Sequence, residues 1–164
     1  MFRARLCRAA VVVGTVVLGL GMTRVALASN YAIDEIPQAI PAPDAQKLKA
    51  AGIATTEALL EKGADPKARK ALALSSKVAL PMLENWIRMA DLLRIKGIGP
   101  DVAKLLAAAG VKTVAQLKAA DPEKVNDSIT KANSNNELSK NPPSSEHLRA
   151  WIAQAQTLPI VLKQ

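Results

Sequence analysis

Two segments far apart in the chain carry the same helical pattern of apolar residues. In 83–93 and in 148–158, apolar side chains recur at relative positions 0, 3, 4, 7 and 10, which is one face of an α-helix. No segment has a convincing strand pattern, so the sequence predicts an all-α fold. The shared positions are Leu83, Trp86, Ile87, Ala90 and Leu93, and then Leu148, Trp151, Ile152, Ala155 and Leu158.

This pattern belongs to an internal duplication. Residues 44–60 match residues 102–118 at an offset of 58. The offset grows to 65 between Trp86 and Trp151, because the second copy has the longer polar connection, at 133–145. Such self-similarity predicts two related helical units that pack as one compact domain. We expect the two tryptophan helices to form the contact between the units.

Residues that start and stop helices occur at matching places in both copies. Gly52 and Gly110 fall where a helix ends on a left-handed residue. Thr55 and Thr113 follow as N-caps, the latter with Gln116 in a capping-box pattern. The other start signals are the Asp-Pro pairs at 65–66 and 121–122, and Ser144 or Ser145 before Glu146. Pro81 either starts the Trp86 helix or bends it.

Residues 1–28 have the layout of a secretory signal peptide. Three arginines precede the apolar run 9–22, and the small residues Ala26 and Ala28 lie where a signal peptidase reads. An uncleaved membrane anchor is the alternative, but the run is shorter than the roughly 20 residues that cross a bilayer, and Arg24 interrupts its extension. We therefore expect cleavage after Ala28, a periplasmic or secreted product, and no stable membrane insertion afterwards.

Removal of this segment changes the charge of the chain. The sequence has 22 Lys and Arg against 14 Asp and Glu, and four of the arginines lie in residues 1–28, which leaves 18 basic residues. A net charge of about +4 weakens any argument for a nucleic-acid partner from charge alone. The single cysteine, Cys7, lies in the same segment, and a thiol-free mature chain suits an oxidising compartment.

The sequence around 95–100 predicts a tight corner between two helices. Gly97 suits the positive φ of a helix stop, Ile98 would anchor the turn in the core, and Pro100 suits a first helical turn. The backbone amides after Gly97 would then lack intrahelical partners. Such amides can hold a phosphate group without a catalytic residue.

The charges around this corner are mixed. Lys96, Lys104, Lys112 and Arg94 are the candidate cations for a phosphate. Asp101 falls in the first helical turn, where it favours the helix dipole but would repel an anion.

The corner resembles the helix-hairpin-helix family, whose hairpin has the pattern hydrophobic-x-Gly-hydrophobic-Gly-x-x-x-Ala. The matching residues are Ile95, Gly97, Ile98, Gly99 and Ala103. In DNA-binding members, the hairpin amides and nearby cations hold the DNA backbone without reading sequence. The resemblance therefore implies non-specific contact with DNA or RNA through Lys96, Gly97, Ile98, Gly99 and Lys104.

Residues 31–160 are similar to a bacterial domain of unknown function, DUF4332, built from tandem helix-hairpin-helix units. The segments that carry the similarity are YAIDEI, KLKAAGI, ENWIRMADLLRIKGIGP, AAAGVKTVAQL and WIAQAQTLP. This resemblance implies the fold and leaves the function open.

The corresponding hairpin of the first copy, at 37–45, is degenerate. Both glycines are absent, and Pro41 and Pro43 remove amide donors. We expect Ile40 and Ala45 to keep a packing role there, without phosphate binding.

Three interpretations of the corner at 95–100 stay open. It is a structural turn between packed helices, a contact for a nucleic-acid backbone, or a contact for an envelope protein or polymer. An exported, non-enzymatic binding or scaffold module follows from the second, and an interaction module without nucleic-acid binding follows from the third.

The sequence offers little for catalysis. His147, the single histidine, lies beside Ser144 and Ser145, and this arrangement is better explained as a helix start. No metal-ligand cluster, Walker loop or dinucleotide fingerprint occurs, so we expect no enzyme activity and no cofactor. Trp86 and Trp151 are interpreted as core anchors.

The expected organisation divides the chain into five segments. A basic cluster, Lys67, Arg69 and Lys70, is expected on a solvent-facing helix surface. The segments are the signal peptide at 1–28, an extended lead-in with the degenerate hairpin at 29–43, the first helical repeat at 44–94, the second repeat at 95–160 and a tail at 161–164.

Overall fold

The computed structural model describes residues 29–136, 139 and 141–163. The expected signal peptide at 1–28 lies outside these residues. A short 3₁₀ turn, Ile33–Glu35, comes first. Eight α-helices follow: α1 (Ala42–Ala50), α2 (Thr56–Gly63), α3 (Pro66–Ser76), α4 (Leu80–Leu92), α5 (Pro100–Ala108), α6 (Val114–Lys118), α7 (Pro122–Asn136) and α8 (Ser145–Thr157).

The predicted all-α class is confirmed. Within the described residues, the only extended pairing is an isolated antiparallel bridge between Ala32 and Thr55. The lead-in is less extended than expected, because the 3₁₀ turn interrupts it and places Ile33 and Ile36 in the core. Helix α1 begins at Ala42, two residues before the expected start of the repeat.

The helix stops are identical in the two copies. Gly52 has φ +78° and Gly110 has φ +94°, as the sequence predicts. The next residue closes the helix each time: the amide of Ile53 donates to the Leu48 carbonyl at 2.9 Å, and that of Val111 donates to the Leu106 carbonyl at 2.8 Å. This is the Schellman pattern, in which a left-handed glycine reverses the chain and satisfies the last carbonyls.

The predicted N-caps also form. The hydroxyl of Thr113 accepts from the amide of Gln116 at 3.2 Å, and Thr55 does the same in the first copy. The reciprocal half of the capping box differs from the expectation, since the Gln116 side chain accepts from the amide of Lys112. The carboxylates of Asp65 and Asp121 and the hydroxyl of Ser144 cap α3, α7 and α8.

The expected contact between the two tryptophan helices is wrong. Helix α4 packs on α2 and α3, and α8 packs on α6 and α7, so each tryptophan helix closes its own copy. The copies join where α4 meets α5. Trp86 and Trp151 are buried, at 6% and 5% exposure, as expected for core anchors. Each of these two helices has a single apolar face, and that face packs against helices of its own copy.

The tail after α8 returns to the first copy. The amide of Lys163 donates to the Ala64 carbonyl at 3.0 Å, and Val161 and Leu162 pack on the core. Arg69 completes this contact, since its guanidinium donates to the carbonyls of both Ala64 and Lys163. The expectation that Arg69 faces solvent is therefore wrong: it is 9% exposed and ties the carbonyls of two segments together.

No helix in the described part of the chain is long and apolar enough to cross a membrane.

Candidate functional site between helices α4 and α5

The corner between α4 and α5 has the backbone that the sequence predicts. Gly97 has φ +95°, and Gly99 is the extended N-cap of α5, which begins at Pro100. Ile98 is fully buried, and its amide donates to the Ile95 carbonyl at 3.1 Å. The corner is thus anchored from below by Ile98, while Gly97 lies at the surface.

One of the corner amides has a partner that the sequence did not reveal. The amide of Lys96 donates to Oε1 of Gln154 in α8, at 3.1 Å. The amides of Gly97, Gly99, Asp101 and Val102 have no acceptor among the described residues. Four backbone N–H groups without acceptors therefore remain near the start of α5, and the amide of Lys96 is not among them.

Two aromatic side chains flank these amides. The Nε1 atom of Trp151 lies 3.0 Å from the point where a Cβ on Gly97 would stand. The hydroxyl of Tyr31 lies 3.9 Å from the equivalent point on Gly99. Neither polar hydrogen has an acceptor within the residues that the structure describes. The corner is therefore bordered by two further donors, which pattern reading of the sequence missed.

The first copy has the corresponding corner in a closed form. Trp86 occupies the place of Trp151, and its Nε1 donates to the Ala39 carbonyl at 3.0 Å. The amides of Ala39 and Ile40 both donate to the Ile36 carbonyl. Ile40 and Ala45 are buried, as expected for residues with a packing role. The amides of Ala39, Ile40 and Asp44 are used within the turn, and Pro41 and Pro43 have no amide hydrogen, so this corner presents no matching set of free donors.

The candidate cations are not gathered at the corner. Lys96 is exposed beside it, whereas Lys104 points towards the first copy and donates to the Gln38 carbonyl. Lys112 lies past the other end of α5. Asp101 is exposed in the first turn of α5, as expected. Of the predicted site residues, the structure thus brings Lys96, Gly97, Ile98 and Gly99 together and places Lys104 apart from them.

Arg94 was expected among the cations that could contact a phosphate, and this expectation is wrong because its side chain is buried. Its side chain is 1% exposed and pairs with Asp91 at 2.9 Å between Nη1 and Oδ1. The other oxygen of Asp91 accepts from the amide of Val114 at 2.8 Å, so this carboxylate also holds the start of α6. The Nε atom of Arg94 is buried without an acceptor.

The buried position of Asp91 perturbs its ionisation. Burial is the largest influence and raises the pKa of the Asp91 carboxyl above its usual 3.8, while the bonds from Val114 and Arg94 oppose the shift. The signal in the sequence was a charged pair three residues apart inside an apolar run, ADLLRI. Charged residues are expected at the surface by default, so this signal was missed.

A cleft of about 350 Å³ opens between α4 and α5. We refer to it as the α4–α5 cleft. Its floor is apolar and its rim is basic, and no acidic residue lines it. The lining residues are Asn85, Trp86, Arg88, Met89 and Leu92 from α4, Ala103, Lys104 and Ala107 from α5, and Lys112.

The histidine region forms the helix start that the sequence predicts. Ser144 Oγ and His147 Nδ1 are 2.9 Å apart, and both side chains are exposed. No carboxylate among the described residues contacts the His147 ring to orient it. Within those residues, no group of three or more His, Cys, Asp or Glu side chains could hold a metal ion.

Comparison with known proteins finds a family match. The model of a family described as a domain of unknown function, DUF4332, matches residues 38–158. No curated protein matches the chain, and no solved structure matches it. The matched residues run from the first corner to the end of α8 and include the corner and the cleft described above. The chain therefore belongs to the DUF4332 family.

Proposed function

We propose that this protein is an exported, non-enzymatic binding module of the helix-hairpin-helix type. Its corner, Lys96–Asp101, contacts backbone phosphates of nucleic acid without reading sequence. The observation that carries this proposal is a convergence of unpaired donors at the start of α5. The donors are the amides of Gly97, Gly99, Asp101 and Val102, the Trp151 indole and the Tyr31 hydroxyl.

The chemistry of these donors fits a phosphate oxygen. Backbone amides at a helix start bind anions because they point outward and the helix dipole favours negative charge there. The ammonium group of Lys96 supplies the nearest positive charge. None of these groups reads a base edge, so the contact would position a backbone and carry no sequence preference.

The number of cations near the corner determines how tightly the protein is expected to bind nucleic acid. Arg94 is buried and Lys104 is bonded to Gln38, so one or two cations meet the nucleic acid. We expect weak binding whose logarithmic salt dependence has a slope of about −1 to −2, far shallower than for a protein with many phosphate contacts.

The test is fluorescence anisotropy of a labelled DNA duplex with the purified protein, over a salt series. Lys96→Gln and Tyr31→Phe should each weaken binding several-fold, and Lys96→Gln should flatten the salt slope by about one unit. Lys67→Gln is the matched control, because Lys67 is exposed on α3 in the other copy. Absence of binding at low salt, or equal effects of Lys96→Gln and Lys67→Gln, would contradict the proposal.

A second function, an envelope protein-interaction module, is favoured by a different surface. Leu74 is 81% exposed on α3, and Met82 is 42% exposed at the start of α4. Leu74 borders a groove with Ala73, Val78 and Leu80, and exposed apolar patches of this kind mark protein contacts. Capture of one stoichiometric envelope protein, lost in Leu74→Ser and kept in Lys96→Gln, would support this function over the first.

A further inference from the structure

We propose that the α4–α5 cleft binds a single-chain lipid anion, a fatty-acid-like carboxylate whose chain lies on Trp86 and whose head meets the basic rim. This site is separate from the corner and goes beyond the proposed function. Its parts are the apolar floor, the charge of the rim and the volume between them.

The floor can accept an alkyl chain and offers nothing to a polar ligand body. Trp86, Met89 and Leu92 form the α4 side of it. The one polar atom of Trp86 already donates to the Ala39 carbonyl. On the α5 side, Ala103 and Ala107 are small, and their size leaves the space open. A purine or sugar placed on this floor would lose hydrogen bonds to water that the apolar floor residues cannot replace.

The rim selects for negative charge. Arg88, Lys104 and Lys112 line it, and no carboxylate does. Glu84, one turn before Arg88, offsets part of one charge at 3.3 Å. Lys104 donates to a carbonyl, which leaves its charge in place, and Lys112 has no ion pair among the described residues. The rim therefore stays positive.

The volume limits the occupant to one chain. About 350 Å³ is at the lower end of the range of small-molecule sites. One alkyl chain with an acidic head matches this size and the division into apolar floor and charged rim. Each further methylene that enters the cleft should tighten binding by up to about fourfold.

The chain offers a direct optical readout. It has two tryptophans, so Trp151→Phe leaves Trp86 as the single reporter, on the floor of the cleft. Titration with decanoate, below the concentration at which it forms micelles, should shift Trp86 emission and saturate. Dodecanoate should bind more tightly, and decanol, which has the same chain without charge, should bind more weakly. Lys112→Gln should weaken decanoate about two- to fivefold and leave decanol unchanged.

A steric variant separates the cleft from general surface binding. Ala107→Leu fills the cleft and should abolish the emission change, whereas Ala108→Leu, the next residue on α5 and exposed outside the cleft, should not. Circular dichroism confirms that both variants fold. The same Ala107→Leu protein should keep its DNA binding. A failure of the fatty-acid proposal can therefore be told apart from a failure of the proposed nucleic-acid contact.

Two results would overturn this proposal. One is decanoate that leaves Trp86 emission unchanged or binds Ala107→Leu as well as Ala108→Leu. The other is decanol that binds as tightly as decanoate, because the rim would then select no anion.

Discussion

The indole nitrogen of Trp151 stands 3.0 Å from the position that a Cβ on Gly97 would take. Gly97 is therefore required twice, once for its φ of +95° and once for the space that the last helix occupies against the corner. Its counterpart in the first copy is Ala39, whose carbonyl accepts the hydrogen bond of the equivalent tryptophan.

Gly97→Ala should lower the free energy of unfolding by more than the φ alone explains. Gly110→Ala is the matched control, because Gly110 has φ +94° and nothing within 4 Å of its Cβ position. We expect a loss of about 1 kcal/mol for Gly110→Ala and about 2 kcal/mol for Gly97→Ala. Urea denaturation measures both losses. Equal losses would show that the Trp151 side chain moves away from the new Cβ without lowering the free energy of unfolding.

The buried pair of Asp91 and Arg94 should depend strongly on both partners. Arg94→Met leaves the Asp91 carboxylate buried without its cation, which should cost about 3–5 kcal/mol at neutral pH. Arg88→Met, within α4, is the control, because it breaks the partly exposed pair with Glu84, and it should cost less than about 1 kcal/mol. Similar losses in the two variants would contradict the buried assignment.

The same variant should change the pH dependence of stability. Burial raises the pKa of Asp91 above its usual 3.8, so the folded state holds this proton more tightly than the unfolded state. Stability from this group is then lost as pH rises from 3.8 through the folded pKa. Without Arg94 the pKa of Asp91 rises further, so the cost of Arg94→Met should grow as the pH rises above 3.8. A constant cost over this range would refute the explanation.

Arg69 should be more important for stability than its charged neighbours on α3. Its guanidinium donates to the carbonyls of Gly63, Ala64 and Lys163. Removal takes this donor from the Gly63 and Lys163 carbonyls, whereas the Ala64 carbonyl still accepts from the Lys163 amide. Arg69→Met should cost about 2–3 kcal/mol, whereas Lys70→Met, at an exposed position, should stay within about 0.5 kcal/mol. Thermal denaturation followed by circular dichroism compares the two.

The expected processing is open to direct measurement. If residues 1–28 are a cleaved signal peptide, the protein recovered from outside the cytoplasm should begin at Ser29. Replacing Ala28 with a bulky residue, as in Ala28→Trp, should block cleavage and leave the longer chain. Intact mass spectrometry distinguishes the two products, and recovery of the unprocessed wild-type chain would favour the membrane-anchor alternative.

Local rules explain which parts of this fold were predictable. Gly52, Gly110, Thr55 and Thr113 act within one helical turn, so their roles follow from sequence alone. The partner of each tryptophan helix depends on how several helices pack together, and the expected contact between these helices was wrong.

The candidate site divides in the same way. The bend at Gly97 followed from the glycine and the proline after α4. The donors of Trp151 and Tyr31, and the acceptor of Gln154, come from segments more than 50 residues away and leave no local signal. Arg69 and Arg94 were misplaced because long charged side chains are usually exposed, and only their backbone and carboxylate partners make burial tolerable.

Asp91 has one more consequence, through the amide of Val114 that it holds. Helix α6 has five residues, too few to persist alone in water. Its first turn is secured by a carboxylate at the end of α4, so the second copy acquires part of its shape from the first. We therefore expect α6 to lose its helical structure when α4 unfolds.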